Sequence, residues 1–292
     1  MVDLFLGSFQ SQFRYKDRLL FFKLIIYIVL MGTSLLMVTP LIWALITSLK
    51  NLKEIFTDPM NLIPKVWCWS NYRNIFKIIP LMTYFLNSVK VTLLTLIGTL
   101  ITCSMAAYAF ARLKFPGRDY LFLLYLSTFM IPNQVTLVPV FILMKWFGLI
   151  DNHLSLILLG VFSSFNAYGT FLLRQFFLGI PHELEEAAML DGCNFFTIFS
   201  RIILPLSKPG LATLGIFALF NTWNDYLYPL VFINNEKLRT LTLGLAILRG
   251  DLDVQWNSVM AASLLSILPI LVLFLFAQKF FIEGVAFSGI KG

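Results

Sequence analysis

The sequence predicts an all-α fold, a polytopic integral membrane protein with six transmembrane helices, and three observations lead there. The 292 residues are 59% hydrophobic and only 13% charged, with a mean hydropathy of +0.83, outside the usual range of soluble domains. Six segments meet or approach the length of about 20 apolar residues that a helix needs to cross the hydrocarbon layer. Between the fourth and fifth, residues 181–209, PHELEEAAMLDGCNFFTIFSRIILPLSKP, place charge and an Asp-Gly break in an otherwise apolar chain.

The first element is an N-terminal segment, residues 1–23, carrying Arg14, Lys16, Arg18 and Lys23 and expected on the cytoplasmic side. It lacks a short apolar core ending at a small-residue cleavage site, and the run that follows is long enough to span, so it reads as leading into a retained first helix. Span one is Leu24 to Ile46. A long loop from Thr47 to Met82 follows, punctuated by Pro59, Pro64 and Pro80, with VWCWSNY supplying aromatic residues suited to a membrane boundary. Span two is Val91 to Ala111, and the turn ARLKFPGRD leads to span three, Tyr120 to Met144. Span four, Leu154 to Leu173, precedes the charged stretch. Span five is Leu211 to Ile233. Residues 234–256 are too short to cross twice, so a half-buried or surface-docked excursion is expected before span six, Val259 to Ala277. The bundle thus occupies residues 24–280, followed by a tail of residues 281–292.

Basic residues favour the cytoplasmic side of short loops. With a cytoplasmic N-terminus, that side collects Arg14, Lys16, Arg18 and Lys23, then Arg112, Lys114 and Arg118, then Arg174, Arg201 and Lys208, then Lys279 and Lys291. An even number of spans puts both termini there. The formal charge of +7 comes without a concentrated basic tract, which argues against a nucleic-acid partner.

Intramembrane polar residues face protein or water, because lipid leaves them unsatisfied. In span three FMIPNQVTLVPVF gathers Pro132, Asn133, Gln134 and Pro139, and a kink is expected. Span five carries Asn221, Asn224 and Asp225 ahead of Pro229. Asn133, Gln134, Asn224 and Asp225 either line a polar pathway or act as helix-helix contacts near the outer water layer. Gly98, Gly160, Gly169 and Gly215 suit close helix approach.

Residues 181–209 read as two short helices. Pro181 suits a helix start, Glu183, Glu185 and Glu186 suit a positive N-terminal end, and Gly192 breaks the pattern. Asn194 or Asp191 caps a second helix, which LPLSKP stops with Pro205 and Pro209. At 100 degrees per residue Leu184, Ala188, Phe195, Phe199 and Ile202 fall in one sector, an apolar ridge in an acidic setting. Three clustered glutamates oppose attraction to an anionic leaflet, so docking into another protein fits better than lying on the membrane.

Other chemistry finds little support. Cys68, Cys103 and Cys193 have no metal or disulfide spacing, and His153 and His182 read as solvated loop residues without a partner cluster. There is no G-x-x-x-x-G-K-[ST] phosphate loop, so ATP hydrolysis would need a separate chain.

The stretch EEAAMLDGCNFFTIFSRIILPLSKP resembles the EAA signature of membrane-spanning subunits in bacterial ATP-binding-cassette importers, in its carbohydrate-importer form. The likeness continues through IPNQVTLVPVF, FNTWNDYLYPLVF, LRTLTLGL, Asn71-Tyr72, Asn87-Ser88 and the final FSGIKG, over essentially the whole chain. It implies a maltose-type permease subunit with the type I importer fold. Glu186, Ala187 and Ala188 would open the signature, Gly192 its bend, and Ile202, Leu204 and Pro205 its end. The helix-turn-helix would insert into a cytoplasmic ATPase with Phe195 and Phe199 as apolar anchors. Gly289, Lys291 and Gly292 in the tail would lie beside the ATPase. Cys193 stands where the family commonly has alanine or another small residue.

The resemblance further implies a bacterial cytoplasmic membrane location, a second related permease, two ATP-binding subunits carrying ATP and Mg2+, and an extracellular or periplasmic solute-binding protein. The cargo would be a carbohydrate, of di- or oligosaccharide size. The chain itself would bind no cofactor or metal and catalyse no reaction. Two alternatives stand beside this: a secondary transporter, against which counts the lack of evident paired, broken spans, and a non-transporting receptor or scaffold subunit.

Overall fold

The computed structural model describes residues 2–249 and 254–289, with side chains described from residue 21 onward and, near the C-terminus, only to 276 and at 278. Every regular element among them is helical. Helix α1 is Val2–Ser48, α2 is Leu52–Thr57, α3 is Ser70–Ile78 and α4 is Leu81–Arg112. Then come α5 (Arg118–Ser127), α6 (Asn133–Trp146), α7 (His153–Val161), α8 (Phe165–Leu178), α9 (Glu183–Leu190) and α10 (Phe195–Ile198). The chain closes with α11 (Leu204–Leu206), α12 (Lys208–Trp223), α13 (Leu227–Phe232), α14 (Leu241–Ile247) and α15 (Trp256–Gly289).

Among the described residues three helices are long and apolar enough to cross a membrane alone, Phe21–Ser48, Leu81–Arg112 and Trp256–Phe276. Three bent pairs of helices bring the total to six if each pair counts as one span. The kink expected in span three is present, whereas the bend in span four has no counterpart in the sequence reading. In span three the break between Met130 and Asn133 turns the chain by 99°. Pro132 removes an N–H and forces Ile131 into an extended conformation (φ −81°, ψ 117°), so the helix cannot continue. Span four bends by 42° between α7 and α8. The third bend, 79° at Ser207, separates residues 195–206 from α12, and Pro209 then occupies the first turn of α12, where its missing N–H costs nothing. Span five is accordingly shorter than read from sequence. It ends at Trp223, and residues 224–226 separate it from α13.

The chain forms two compact units. The first comprises residues 1–72 and 255–264. Its long helix α1 exposes apolar side chains all round, with none of its most hydrophobic window buried, as a span surrounded by lipid or partner requires. The loop after it is held by polar side chains on backbone carbonyls. Asn71 Nδ2 donates to Ser48 O at 2.8 Å and Lys50 O at 3.0 Å, and Lys50 Nζ to Asn61 O at 2.5 Å. Asn257 donates in turn to Asn71 Oδ1 at 3.1 Å, and Tyr72 OH meets Ser48 Oγ at 2.8 Å.

The second unit comprises residues 73–254 and 265–292. Its hub is α4, which packs against α7, α8, α12 and α14. Small residues permit this. A Cβ on Gly98 or Gly160 would collide with Val161 or Thr95 across the α4 and α7 contact, and one on Gly169 would strike Leu214. Gly215 has no such tight neighbour. The two ends of α4 belong to separate apolar clusters. At the Arg112 end Tyr108 and Ala111 join Leu173, Phe177, Ala188, Ile198, Phe199 and Ile203. Toward the other end Val91 joins Leu156, Phe232, Ile233 and Leu243.

Candidate coupling segment and polar cleft

Local chemistry shapes residues 181–206. Helix α9 begins after His182, whose carbonyl accepts from the amides of Glu185 at 3.0 Å and Glu186 at 3.1 Å, with three glutamates in the first turn. It stops in a paired backbone motif: Gly192 N donates to Met189 O at 3.0 Å and Cys193 N to Ala188 O at 2.9 Å. Gly192 has φ +82°, a left-handed conformation that a side chain disfavours, so the sequence break has a definite backbone cause. Asn194, rather than Asp191, caps the next helix, with Oδ1 accepting from Thr197 N at 2.8 Å.

Pro205 does not stop this second helix. The turns Phe199–Ile203 widen into a π-helix and run directly into α11, with the break delayed to Ser207. A widened turn relieves the clash a proline ring makes with the carbonyl four residues earlier, here Arg201.

The single apolar ridge read from sequence is divided between two faces. Ala188 and Phe199 turn inward, Phe199 at 8% exposure with its ring 5.2 Å from that of Tyr108. Phe199 is therefore a core residue of this chain and not an exposed anchor. Phe195 at 58%, Phe196 at 72% and Leu190 at 90% face outward, with Leu184 and Met189 beside them. The left-handed turn at Gly192 changes the helix direction, so one 100-degree register does not carry across it. Glu186 and Ala187 are exposed on the same segment.

Glu185, by contrast, is buried, and it meets Arg112 at the end of α4. Their side chains are 7% and 1% exposed, and Nε lies 2.9 Å from Oε1 with its N–H not aimed at the oxygen, so the contact is Coulombic. The rest of the guanidinium is engaged too. Nη1 faces the His182 ring nitrogens at 2.9 and 3.0 Å, while Nη2 donates to Phe177 O and, at 2.5 Å, to Ile180 O. Those carbonyls end α8, where a cation is favoured. Sequence reading missed this fork, and its only trace was an arginine closing an apolar helix. It read both histidines as solvated and partnerless, and His182 is exposed but partnered by Arg112. His153 is in fact buried, with Nε2 2.8 Å from Leu238 O.

A cleft of about 800 Å³ brings together three of the four polar residues singled out in the spans, Asn133, Asn224 and Asp225, together with Asn221, Ser163 and Ser164. Phe129, Phe165, Phe217 and Tyr228 also border it. Gln134 is exposed and borders neither this cleft nor the adjoining one of about 870 Å³. Asn133 Oδ1 accepts from Ser164 Oγ at 3.1 Å, which joins the break in span three to the break in span four. Asp225 Oδ1 accepts from Tyr228 N at 3.3 Å and so caps α13, while Asn224 Nδ2 donates to Phe220 O at 2.9 Å. Part of their polarity is spent locally.

The excursion after α13 docks on the far end of α4, as a half-buried segment. Asn87 Nδ2 donates to Lys237 O and Arg239 O, both at 2.9 Å, and Ser88 Oγ accepts from Leu241 N at 2.8 Å. Two separated pieces of the quoted likeness, Asn87-Ser88 and LRTLTLGL, thus touch each other. Asp151, with φ +58°, accepts from Asn234 N at 2.5 Å and Asn235 N at 2.8 Å. The Asn235 and Asn234 amides hold its carboxyl below the usual value of 3.8. Among the described residues no group of three or more His, Cys, Asp or Glu is placed to hold a metal ion. Gly289 ends α15, while Lys291 and Gly292 lie outside the described residues.

Comparison with known proteins places this geometry. The probable ABC transporter permease protein YurM of Bacillus subtilis is 37% identical over 254 residues, covering 87% of this chain and 83% of that protein. The arabinooligosaccharides transport system permease protein AraQ of the same organism is 34% identical over 282 residues, 96% of this chain and 99% of the relative. In three dimensions the chain superposes on a bacterial ABC transporter involved in the import of the acidic polysaccharide alginate with a TM-score of 0.79 and 25% identity, over 89% of this chain and 96% of that one. The polytopic, all-α fold is that of a type I ABC-importer permease. The binding-protein-dependent transport system inner membrane component family matches residues 98–286, more than half the length. The chain belongs to that family and is a multi-pass protein of the inner membrane.

Proposed function

We propose that this chain forms half of the translocation pathway of an ATP-driven carbohydrate importer and couples that pathway to a separate ATPase through residues 181–209. It is a permease, a transport subunit without catalytic activity of its own. The cargo is a di- or oligosaccharide, a reading supported by the arabinooligosaccharide and alginate systems among its relatives. The assembly adds a second, related permease, two ATP-binding subunits carrying ATP and Mg2+, and a solute-binding protein on the opposite face. Both termini are cytoplasmic, with residues 1–23 ahead of the bundle and 281–292 behind it.

The observation that carries the coupling role is the division of faces in the bent helix pair. Ala188, Ile198 and Phe199 root it in the same cluster as α4 and α8, while Leu190, Phe195 and Phe196 stand exposed beside Glu186. A rooted, bent element with an exposed apolar tip suits a socket on a soluble subunit. Gly192 sets the bend and Pro205 keeps the second helix aligned. Ala187 leaves room for close approach, and Gly289, Lys291 and Gly292 provide a secondary ATPase contact. Asn133, Asn224 and Asp225 line this chain's side of the pathway, with Gln134 exposed beside Asn133 and outside the cleft.

Gentle detergent purification of the tagged native chain, with mass spectrometry of partners and retained solutes, tests the assembly. Recovery of a second permease and a P-loop ATPase is expected, together with loss of the ATPase in Leu190→Glu and Phe196→Glu. A transport-active sample containing this chain alone would sink the proposal.

A further inference from the structure

Arg112 grips both ends of the short linker that joins span four to α9. Before the linker's Pro181 it holds the Phe177 and Ile180 carbonyls, and after it the His182 ring and the Glu185 carboxylate. A linker whose two ends are bound to one planar group cannot stretch or pivot without breaking buried polar contacts. Since the paired side chains are 1% and 7% exposed, water does not replace what is broken.

We infer that Arg112 is a positioning residue for transport: it makes α9 move as one body with α4 and α8, so that displacement of the coupling segment reaches the cleft instead of being absorbed at residues 179–182. This rests on the reading of residues 181–209 as the ATPase-facing segment. Glu185 is its counter-charge and takes no part in docking, unlike exposed Glu186. Arg174 supplies an internal control. It joins α4 to α8 and α5 through Phe110 O at 3.2 Å, Asp119 at 3.9 Å and the Phe122 ring at 4.5 Å, all outside α9.

The test uses the assembled complex in proteoliposomes, with Cys68, Cys103 and Cys193 replaced by serine and a bimane fluorophore on Asn221→Cys in the cleft. A non-hydrolysable ATP analogue is the probe. In Arg112→Lys and Glu185→Gln the ATPase stays bound and basal hydrolysis is kept, while the nucleotide-driven fluorescence change falls at least about fivefold. Arg174→Gln keeps the change. A full change in both Arg112→Lys and Glu185→Gln overturns the inference, as does an equal loss in Arg174→Gln, which would report general loosening of the bundle. Failure of Arg112→Lys and Glu185→Gln to assemble while Arg174→Gln does so would make the fork purely structural and also overturn it. An unmutated complex that holds no ATPase would instead defeat the functional reading itself.

Discussion

The two ends of α4 are fastened by different chemistry. At the Arg112 end an arginine fork, its contact with Glu185 shielded from water, holds α9 and the end of α8. At the Asn87 end neutral amide and hydroxyl groups hold the backbone of the excursion after α13. A buried ion pair is costly to break on one side only, because the surviving charge has no solvent. The two bonds from Asn87 reach the surface, where water replaces them at small net cost, while the Ser88 bond to Leu241 is buried. The comparison teaches that the two ends differ in what a lost partner leaves behind, an uncompensated charge at one and a neutral polar group at the other.

The largest expected effect breaks the charged end. Arg112→Met leaves Glu185 buried and unpaired, so stability should fall by about 3–5 kcal/mol, read as a lowered melting temperature in detergent. An unchanged melting temperature would mean that the fork is not closed in the membrane. Next, Gly192→Leu forces a branched side chain into the left-handed region, costing about 1–2 kcal/mol. Because nothing lies within 4 Å of the added Cβ, the damage is to the bend, and recovery of the ATPase should drop while membrane insertion persists.

At the neutral end Asn87→Ala should cost about 1 kcal/mol and raise amide hydrogen exchange in residues 236–245, with the coupling segment unaffected. Faster exchange at residues 183–206 as well would show that the two ends are not independent. The smallest effect concerns pH. Asp151 has a folded pKa below its usual value, so it binds fewer protons folded than unfolded. Its contribution is therefore complete above 3.8 and lost only as pH falls through the lower folded value. Exchange protection of the Asn234 and Asn235 amides should persist as pH falls through 3.8 and fail only at the lower folded value, whereas Asp151→Asn should weaken it at every pH.

Much of this architecture was legible in the sequence. Apolar runs of spanning length marked six membrane segments, because a bilayer demands unbroken burial of backbone polarity. Gly192 and Asn194 marked the bend and the cap of the coupling segment, since left-handed turns and helix starts select residue types locally. Pro132 likewise signalled a disturbance in span three, though not a turn of 99°. The ridge was misassigned at Phe199, because helical periodicity is reliable only within one helix and Gly192 separates two.

What sequence alone determined is the set of properties that act over a few residues or over composition: membrane class, the turn at Gly192, the cap at Asn194 and the kink at Pro132. Tertiary structure alone decided which polar groups meet. Arg112 and Glu185 are paired across 73 positions of chain, taken as 185 minus 112, and nothing local to either announces the other. His153 is buried and Gln134 left outside the cleft for the same reason: packing of distant helices sets burial. Coulomb and hydrogen-bond energies depend on separation in space, and in a bundle of long helices that separation is fixed by contacts that neighbouring residues do not encode.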